Sequence, residues 1–339
     1  MSDAMKETSD LTGICTGGVL EVRDGQYVLP VPSGHSGIEA LALDAARTRY
    51  PDTVARFGTL PQQAAGLLVR IPDGMQVSEP LCLSFTGTGG CTVAVHAGRG
   101  ATVELLFLLA DGAALRRHIV AENGSSLRIR EVAAGGADGM LSVASTMQVG
   151  EGARVDTVTV ELGGGRAELH YATVLEGASA EALYAGLFMA ADGERKEVDV
   201  RVEHLVPDCR SDVLMKGVAS GTGFGSFGGM VYVAQDAQRT VAYQQSRNLV
   251  LGGRARIVTA PQLEIYADDV RCSHGATVGQ MDDEAVYYMR QRGLSEAEAR
   301  GLQLTGFVNE VVSRLGDGPL AEEVLRRAGQ KIAALQQSA

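Results

Sequence analysis

From Gly66 to about residue 278, apolar and polar residues alternate in short runs: LLVRIP, CTVAVHAG, ATVELLFLLA, SLRIREVA, RVDTVTVEL, AELHYATVL and EVDVRVEHL. A period of two is the mark of a strand with one buried face. Small turn residues separate the runs at Gly98-Arg99-Gly100, Asn123-Gly124-Ser125, Gly150-Glu151-Gly152 and Glu176-Gly177-Ala178. The turns recur about every 24 to 28 residues without a strict internal repeat. The pattern predicts a mainly β chain, built as a stacked solenoid or as a sandwich, and periodicity alone does not choose between them.

Upstream, VLEVRDGQYVLPVPSG predicts a pair of short strands around Asp24-Gly25. Residues 37 to 50 are helix-compatible, with Ile38, Leu41, Ala42 and Ala45 on one face. Downstream, the stretch from Arg254 to Gly293 changes period in its middle. Leu263, Ile265 and Ala267 alternate with Gln262, Glu264 and Tyr266 as in a strand. Beyond Gly279, Met281, Ala285 and Tyr288 fall on one helix face, Asp282 and Asp283 supply anionic first-turn residues, and Gly293 is a stop. Ser295 and Glu298 have the spacing of a capping box. Leu304, Phe307, Val308, Val311, Val312 and Leu315 form one stripe, Gly316 to Pro319 breaks it, and Leu320, Val324, Ala328, Ile332 and Leu335 form another. Such amphipathic helices must pack on the end of the β core or on a partner. Three regions follow: a short mixed segment (1–65), a strand-rich core (66–279) and a helical C-terminal domain (280–339).

Composition narrows the function. With 43 glycines, 9 prolines and no tryptophan, the chain suits short strands and tight turns. The net charge of −11 and the lack of a basic run with interleaved aromatics argue against nucleic-acid binding. No apolar run reaches membrane-spanning length and MSDAMKETSDLTG lacks a signal-peptide core, so a cytoplasmic location is expected. The five cysteines are odd in number and scattered without CxxC, the pattern of free thiols in a reducing compartment.

Candidate chemistry concentrates at Cys272 and His274. Thiolate and imidazole are both good ligands for iron or zinc, and thiolate suits iron–sulfur clusters. Two residues apart on a strand, they lie on the same side, and they share parity with Gln262, Glu264, Tyr266 and Asp268. That parity predicts side chains facing outward, unless a bulge before Cys272 reverses it. Two ligands cannot close a four-coordinate site. From the residues alone, an inert cysteine beside a surface histidine is the simpler reading.

The other histidines (35, 96, 118, 170, 204) share no metal-ligand spacing, and His96 and His118 are expected on strand surfaces. Cys82, Cys91 and Cys209 are expected to behave as small apolar residues. Gly223, Gly225 and Gly228 match GxGxxG, but a strand follows instead of a helix, so they read as turn glycines. No P-loop, GxSxG or HExxH is present. Arg247 is expected to pair with an acidic neighbour and Asn248 to hold a turn.

The string QLEIYADDVRCSHGATVG (262–279), followed by a carboxylate-rich helix with YYMRQRG, resembles the C-terminal signature of the SufB/SufD family of iron–sulfur cluster assembly proteins. Its CSHGATVG form is similar to the SufD branch, and MVYVAQDAQRTVAYQQSRNLVL (230–251) resembles the sequence just before that signature. The resemblance implies a right-handed parallel β-helix and a non-catalytic scaffold subunit. It implies a SufB-like paralogue as partner, and a SufC-like ATPase docked through the C-terminal helices. His274, with Cys272 beside it, would contribute to a transient iron–sulfur cluster at the paralogue interface, none being held tightly by the isolated chain. Family members carry a longer N-terminal helical region with tryptophan; this chain is short there, so no partner or flavin role of that region is carried over. Two other readings compete. One is a homodimeric interaction protein without a cluster. The other is a sugar-active solenoid enzyme, which would need paired carboxylates that the core does not display.

Overall fold

The computed structural model describes residues 11–16, 18–27, 35, 37–58, 60, 66–110, 112–135 and 139–337. At the N-terminal end, β1 (Val19–Arg23) and β2 (Gln26–Tyr27) form the expected hairpin, with Asp24 and Gly25 both at positive φ in its turn. The rest of that stretch, 28–34, lies outside the described residues. The helix expected over 37–50 is half strand: β3 (Glu39–Ala42) precedes α1 (Leu43–Arg49), and α2 (Pro51–Ala55) follows. Local helical periodicity yields here to pairing, because β3 bonds antiparallel along the first core strand.

That core is a run of short strands. The first six are β4 (Gly66–Ile71), β5 (Leu81–Thr86), β6 (Gly90–Ala97), β7 (Thr102–Leu109), β8 (Ala114–Ala121) and β9 (Ser126–Ala133). Ten-residue strands dominate thereafter: β10 (Met140–Val149), β11 (Arg154–Glu161), β12 (Arg166–Leu175), β13 (Glu181–Ala190) and β14 (Arg195–His204). The last are β15 (Arg210–Ala219), β16 (Phe224–Val233), β17 (Val241–Val250), β18 (Arg256–Ile265) and β19 (Arg271–Gly279). Successive strands alternate between two sheets, and each pairs in parallel with the strand two ahead. The molecule is therefore a parallel β-solenoid with two strands per coil, and the sandwich alternative falls. The 24-to-28-residue turn interval is the length of the earlier coils, and later coils run longer, up to 32 residues from Phe224 to Arg256.

The turns stack as well. Gly100 donates its backbone N–H to Asn123, Gly124 to Glu151 and Gly152 to Ala178, each within 3.0 Å. Gly100, Gly124 and Gly152 have φ of 66°, 69° and 60°, which explains glycine in the early coils. Later coils place Ser179, Asp208 and Arg239 in the same conformation. Between the sheets, inward side chains fill the lumen with aliphatic and aromatic residues such as Leu105, Phe107, Val143 and Phe188. Charges also enter it. Arg117 and Glu131, both fully buried, pair at 3.0 Å; Arg117 donates to Ser145, and Tyr171 donates to Glu131. Lys196 bonds Glu161 at 2.9 Å and the carbonyls of Gly163 and Gly164. Buried charges are tolerable when paired and hydrogen-bonded in this way.

Helices α3 (Asp283–Arg290), α4 (Glu296–Val312) and α5 (Pro319–Gln337) follow the last strand. Asp282 caps α3, Gly293 follows it at φ 99°, and the Ser295–Glu298 capping box opens α4. The stripes of α4 and α5 are buried as expected, but against the outer side of the ten-stranded sheet, on Leu106, Leu108, Val158, Val160 and Leu187, and not on the solenoid end. In α3 the buried residue is Val286, while Tyr288 of the expected face is exposed. Among the described residues no helix is long and apolar enough to cross a membrane. Cys15 and Cys82, expected as free thiols, form a disulfide, whereas Cys91, Cys209 and Cys272 are free. A separation of 67 residues concealed that pairing until β1 was laid along β5.

Two outcomes test this packing. Leu304 is fully buried and Leu302 is 56% exposed. Leu304→Ala is expected to cost about 2–5 kcal/mol in urea unfolding and Leu302→Ala less than about 0.5 kcal/mol. His204 is fully buried, bonds Ser211 at 2.9 Å, and burial holds its imidazole down at about 4. The unfolded chain takes up this proton near 6.5, so His204 makes stability fall as pH drops from about 6.5 to about 4, by about 3 kcal/mol in all. The urea midpoint of His204→Gln should lose that portion of the pH dependence.

Candidate functional site at the open end of the solenoid

The two ends of the solenoid differ. At the N-terminal end the sheets finish in the short antiparallel strands β2 and β3, of two and four residues. At the other end β18 and β19 are the last strands of their sheets, and no further coil pairs with them. Their outer edges and inner faces are open. In β17 the inward residues Ala242, Gln244, Ser246 and Asn248 are buried, while in β19 every residue but Cys272 is exposed.

Cys272 and His274 lie on this terminal strand. Cys272 pairs with Ala242 and His274 with Gln244. Residues paired in a parallel sheet share a face, so both belong to the inward columns. His274 is the last rung of a column that runs Leu105, Ile129, Thr157, Tyr184, Val213, Gln244. The outward orientation expected from parity is thereby corrected. The corner from Tyr266 to Val270 carries the chain from one sheet to the other and resets the alternation: the inward set is odd-numbered in β18 and even-numbered in β19.

The two residues differ in environment. Cys272 is half-buried against the cluster of Val231, Val233 and Ala242. This burial pushes its thiol above the ordinary value, and the Ala242 backbone only partly opposes it. A thiolate ligand here needs a neighbouring positive charge, such as a metal, to form. His274 is exposed. Among the described residues no group of three His, Cys, Asp or Glu side chains is placed to hold a metal.

Beneath the terminal coil lies a polar layer that the sequence reading missed. Gln244 is 1% exposed, and neither its Nε2 nor its Oε1 has a hydrogen-bond partner. Asn248 does not hold a turn; it sits in mid-strand, donating to Ser246 at 2.9 Å and to the Thr277 carbonyl at 3.1 Å. Arg247 does pair with an acidic neighbour, Glu310 of α4, at 3.6 Å. The missed signal was three successive polar residues, Gln244, Ser246 and Asn248, at the inward parity of a strand.

The remaining candidates lie elsewhere. His96 lies on the outer side of β6, in register with Val120, but is buried there, and bonds Glu122 at 3.3 Å. His118 is on the outer side, 2.8 Å from Thr146. Burial raises the Cys91 thiol to about 11, which suits a packing role. Gly223 to Gly228 occupy a turn and the start of β16, with no helix following.

A family model described as the SufBD core domain of the SUF system for FeS cluster assembly matches residues 90–307. The iron-sulfur cluster assembly protein SufD of Escherichia coli is 38% identical over 171 residues, 50% of this chain and 40% of that protein. An iron-sulfur cluster assembly SufBD family protein of Mycobacterium bovis is 31% identical over 275 residues, 73% of this chain and 66% of that protein. One from Synechocystis is 48% identical over 95 residues, 28% of this chain and 20% of that protein. The chain thus spans 66% or less of the length of these three relatives.

Proposed function

The chain belongs to the SufBD family of iron–sulfur cluster assembly proteins, and from that premise we propose that it is a non-catalytic scaffold subunit whose open end builds a cluster jointly with a partner. The observation that carries this reading is the placement of Cys272 and His274 on the terminal strand β19, whose outer edge is unpaired. Each is a competent ligand, and together they leave positions that only another chain can fill. A SufB-like paralogue docked on this end would bring the missing thiolate and shield the nascent cluster, which is cargo passed onward. In this arrangement His274 offers a neutral nitrogen, and Cys272 offers sulfur once a metal lowers its proton affinity.

The helices supply a route for coupling. Tyr287, Tyr288 and Leu302 are large and exposed, a surface suited to a SufC-like ATPase. Behind them α4 is tied to β15 by Lys216, which donates to the Phe307 carbonyl at 2.8 Å and pairs with Glu310. Arg247 of β17 reaches the same Glu310, and β17 is hydrogen-bonded to β19. Movement of the ATPase would reach the terminal strand along this line. We place the work in the cytoplasm, where the Cys15–Cys82 pair would be kept reduced.

A second reading rests on the same edge. Ile265 and Val278 are 38% and 47% exposed on the inward columns, and such an edge also suits pairing of two copies without a cluster. One experiment separates the two. The chain is co-expressed with its SufB-like and SufC-like partners, and the complex is purified anaerobically for iron and sulfide analysis. His274→Ala is expected to leave the complex intact while lowering iron and sulfide about tenfold or more, because loss of even an outer-shell partner costs about 10- to 100-fold in metal affinity. An intact mutant complex with unchanged iron and sulfide would leave only a structural role for this end.

A further inference from the structure

Resting on that reading of His274, we propose that Gln244 is the positioning residue of the site, its carboxamide oxygen accepting the imidazole N–H that faces into the solenoid. A buried carboxamide with neither atom paired leaves desolvated groups without compensation, so its presence calls for an explanation. Gly229 shows that the sequence makes room for it. A Cβ at Gly229 would stand 1.5 Å from Gln244 Nε2, so the amide lies directly over a glycine of the facing sheet. The position above Gly229 in the last coil is Pro261, which has no N–H to offer. Nearby Thr259 Oγ1 is likewise buried and unpaired.

The group with the right chemistry is on the adjacent rung. Gln244 and His274 are register partners in a parallel ladder whose rungs lie about 4.8 Å apart, so carboxamide and imidazole come within hydrogen-bonding reach when their rotamers face each other. A ligating histidine commonly donates its other N–H to an acceptor, which fixes the tautomer and turns the free nitrogen to the metal. With the inner nitrogen protonated towards Gln244, the outer nitrogen faces the docking surface. Gln244 touches no cargo; it acts through His274.

The test uses the whole chain labelled with ¹⁵N-histidine, with His274→Ala to assign the resonance. In the wild type at neutral pH, His274 is expected in one dominant tautomer with a protected N–H. Gln244→Leu, of similar volume but without an acceptor, should give mixed tautomers while keeping or raising the urea midpoint. Gly229→Ala, which displaces the amide, should mimic Gln244→Leu. In the anaerobic complex, Gln244→Leu should lower iron and sulfide about tenfold or more. Unchanged His274 tautomers in folded Gln244→Leu would overturn the proposal, and so would undiminished iron and sulfide in that complex beside a depleted His274→Ala complex. If His274→Ala itself retains its iron and sulfide, the cluster reading fails, whatever the tautomers show.

Discussion

The structure depends on one constraint: every coil must present its backbone, in register, to the coil after it. Parallel pairing between strands two apart aligns side chains into columns, so the identity of one residue is felt by its neighbours above and below. The columns explain why a glycine faces a glutamine amide, and why a histidine surmounts that same glutamine. They also explain why the turns are spaced as they are. Each corner must bond to the corner of the next coil, yet coils lengthen from 24 residues (Gly90 to Ala114) to 32 (Phe224 to Arg256) without loss of strand register.

Three layers grow from this ladder. The lumen is largely aliphatic, and the charges within it are matched in pairs or bonded to carbonyls, as Arg117 is to Glu131 and Lys196 to Glu161. The outer side of one sheet is covered by α4 and α5, whose stripes meet Leu106, Val158 and Leu187. The outer side of the other is covered near its beginning by α1 and α2, through Leu43, Ala46, Val54 and Phe57. What these layers leave bare is the end where β18 and β19 stop.

Much of this was legible because it is written at short range. Strand alternation, turn glycines, the capping box and the stripes of α4 and α5 depend on residues a few positions apart, and each was found where expected. Misreadings arose where the deciding partner was distant. Residues 39–42 read as helix until β4 offered them a ladder, and Cys15 and Cys82 read as free thiols until β1 lay on β5. At the candidate site, the sequence identified Cys272 and His274 but reversed their direction, because strand parity does not survive a corner. Gln244 was passed over because a polar residue in a strand looks solvated until its column is known.

The difference between the two ends carries a consequence for stoichiometry. A filament needs two complementary sticky ends on every unit, so that each addition leaves a fresh one behind. Here one end finishes in β2 and β3, strands of two and four residues, whereas β18 and β19 leave edges of ten and nine residues at the other. When two such units meet end to end, the bond between them consumes the open edge of both. Further addition along the solenoid axis would then have to use the short strands β2 and β3, which are much poorer templates for pairing.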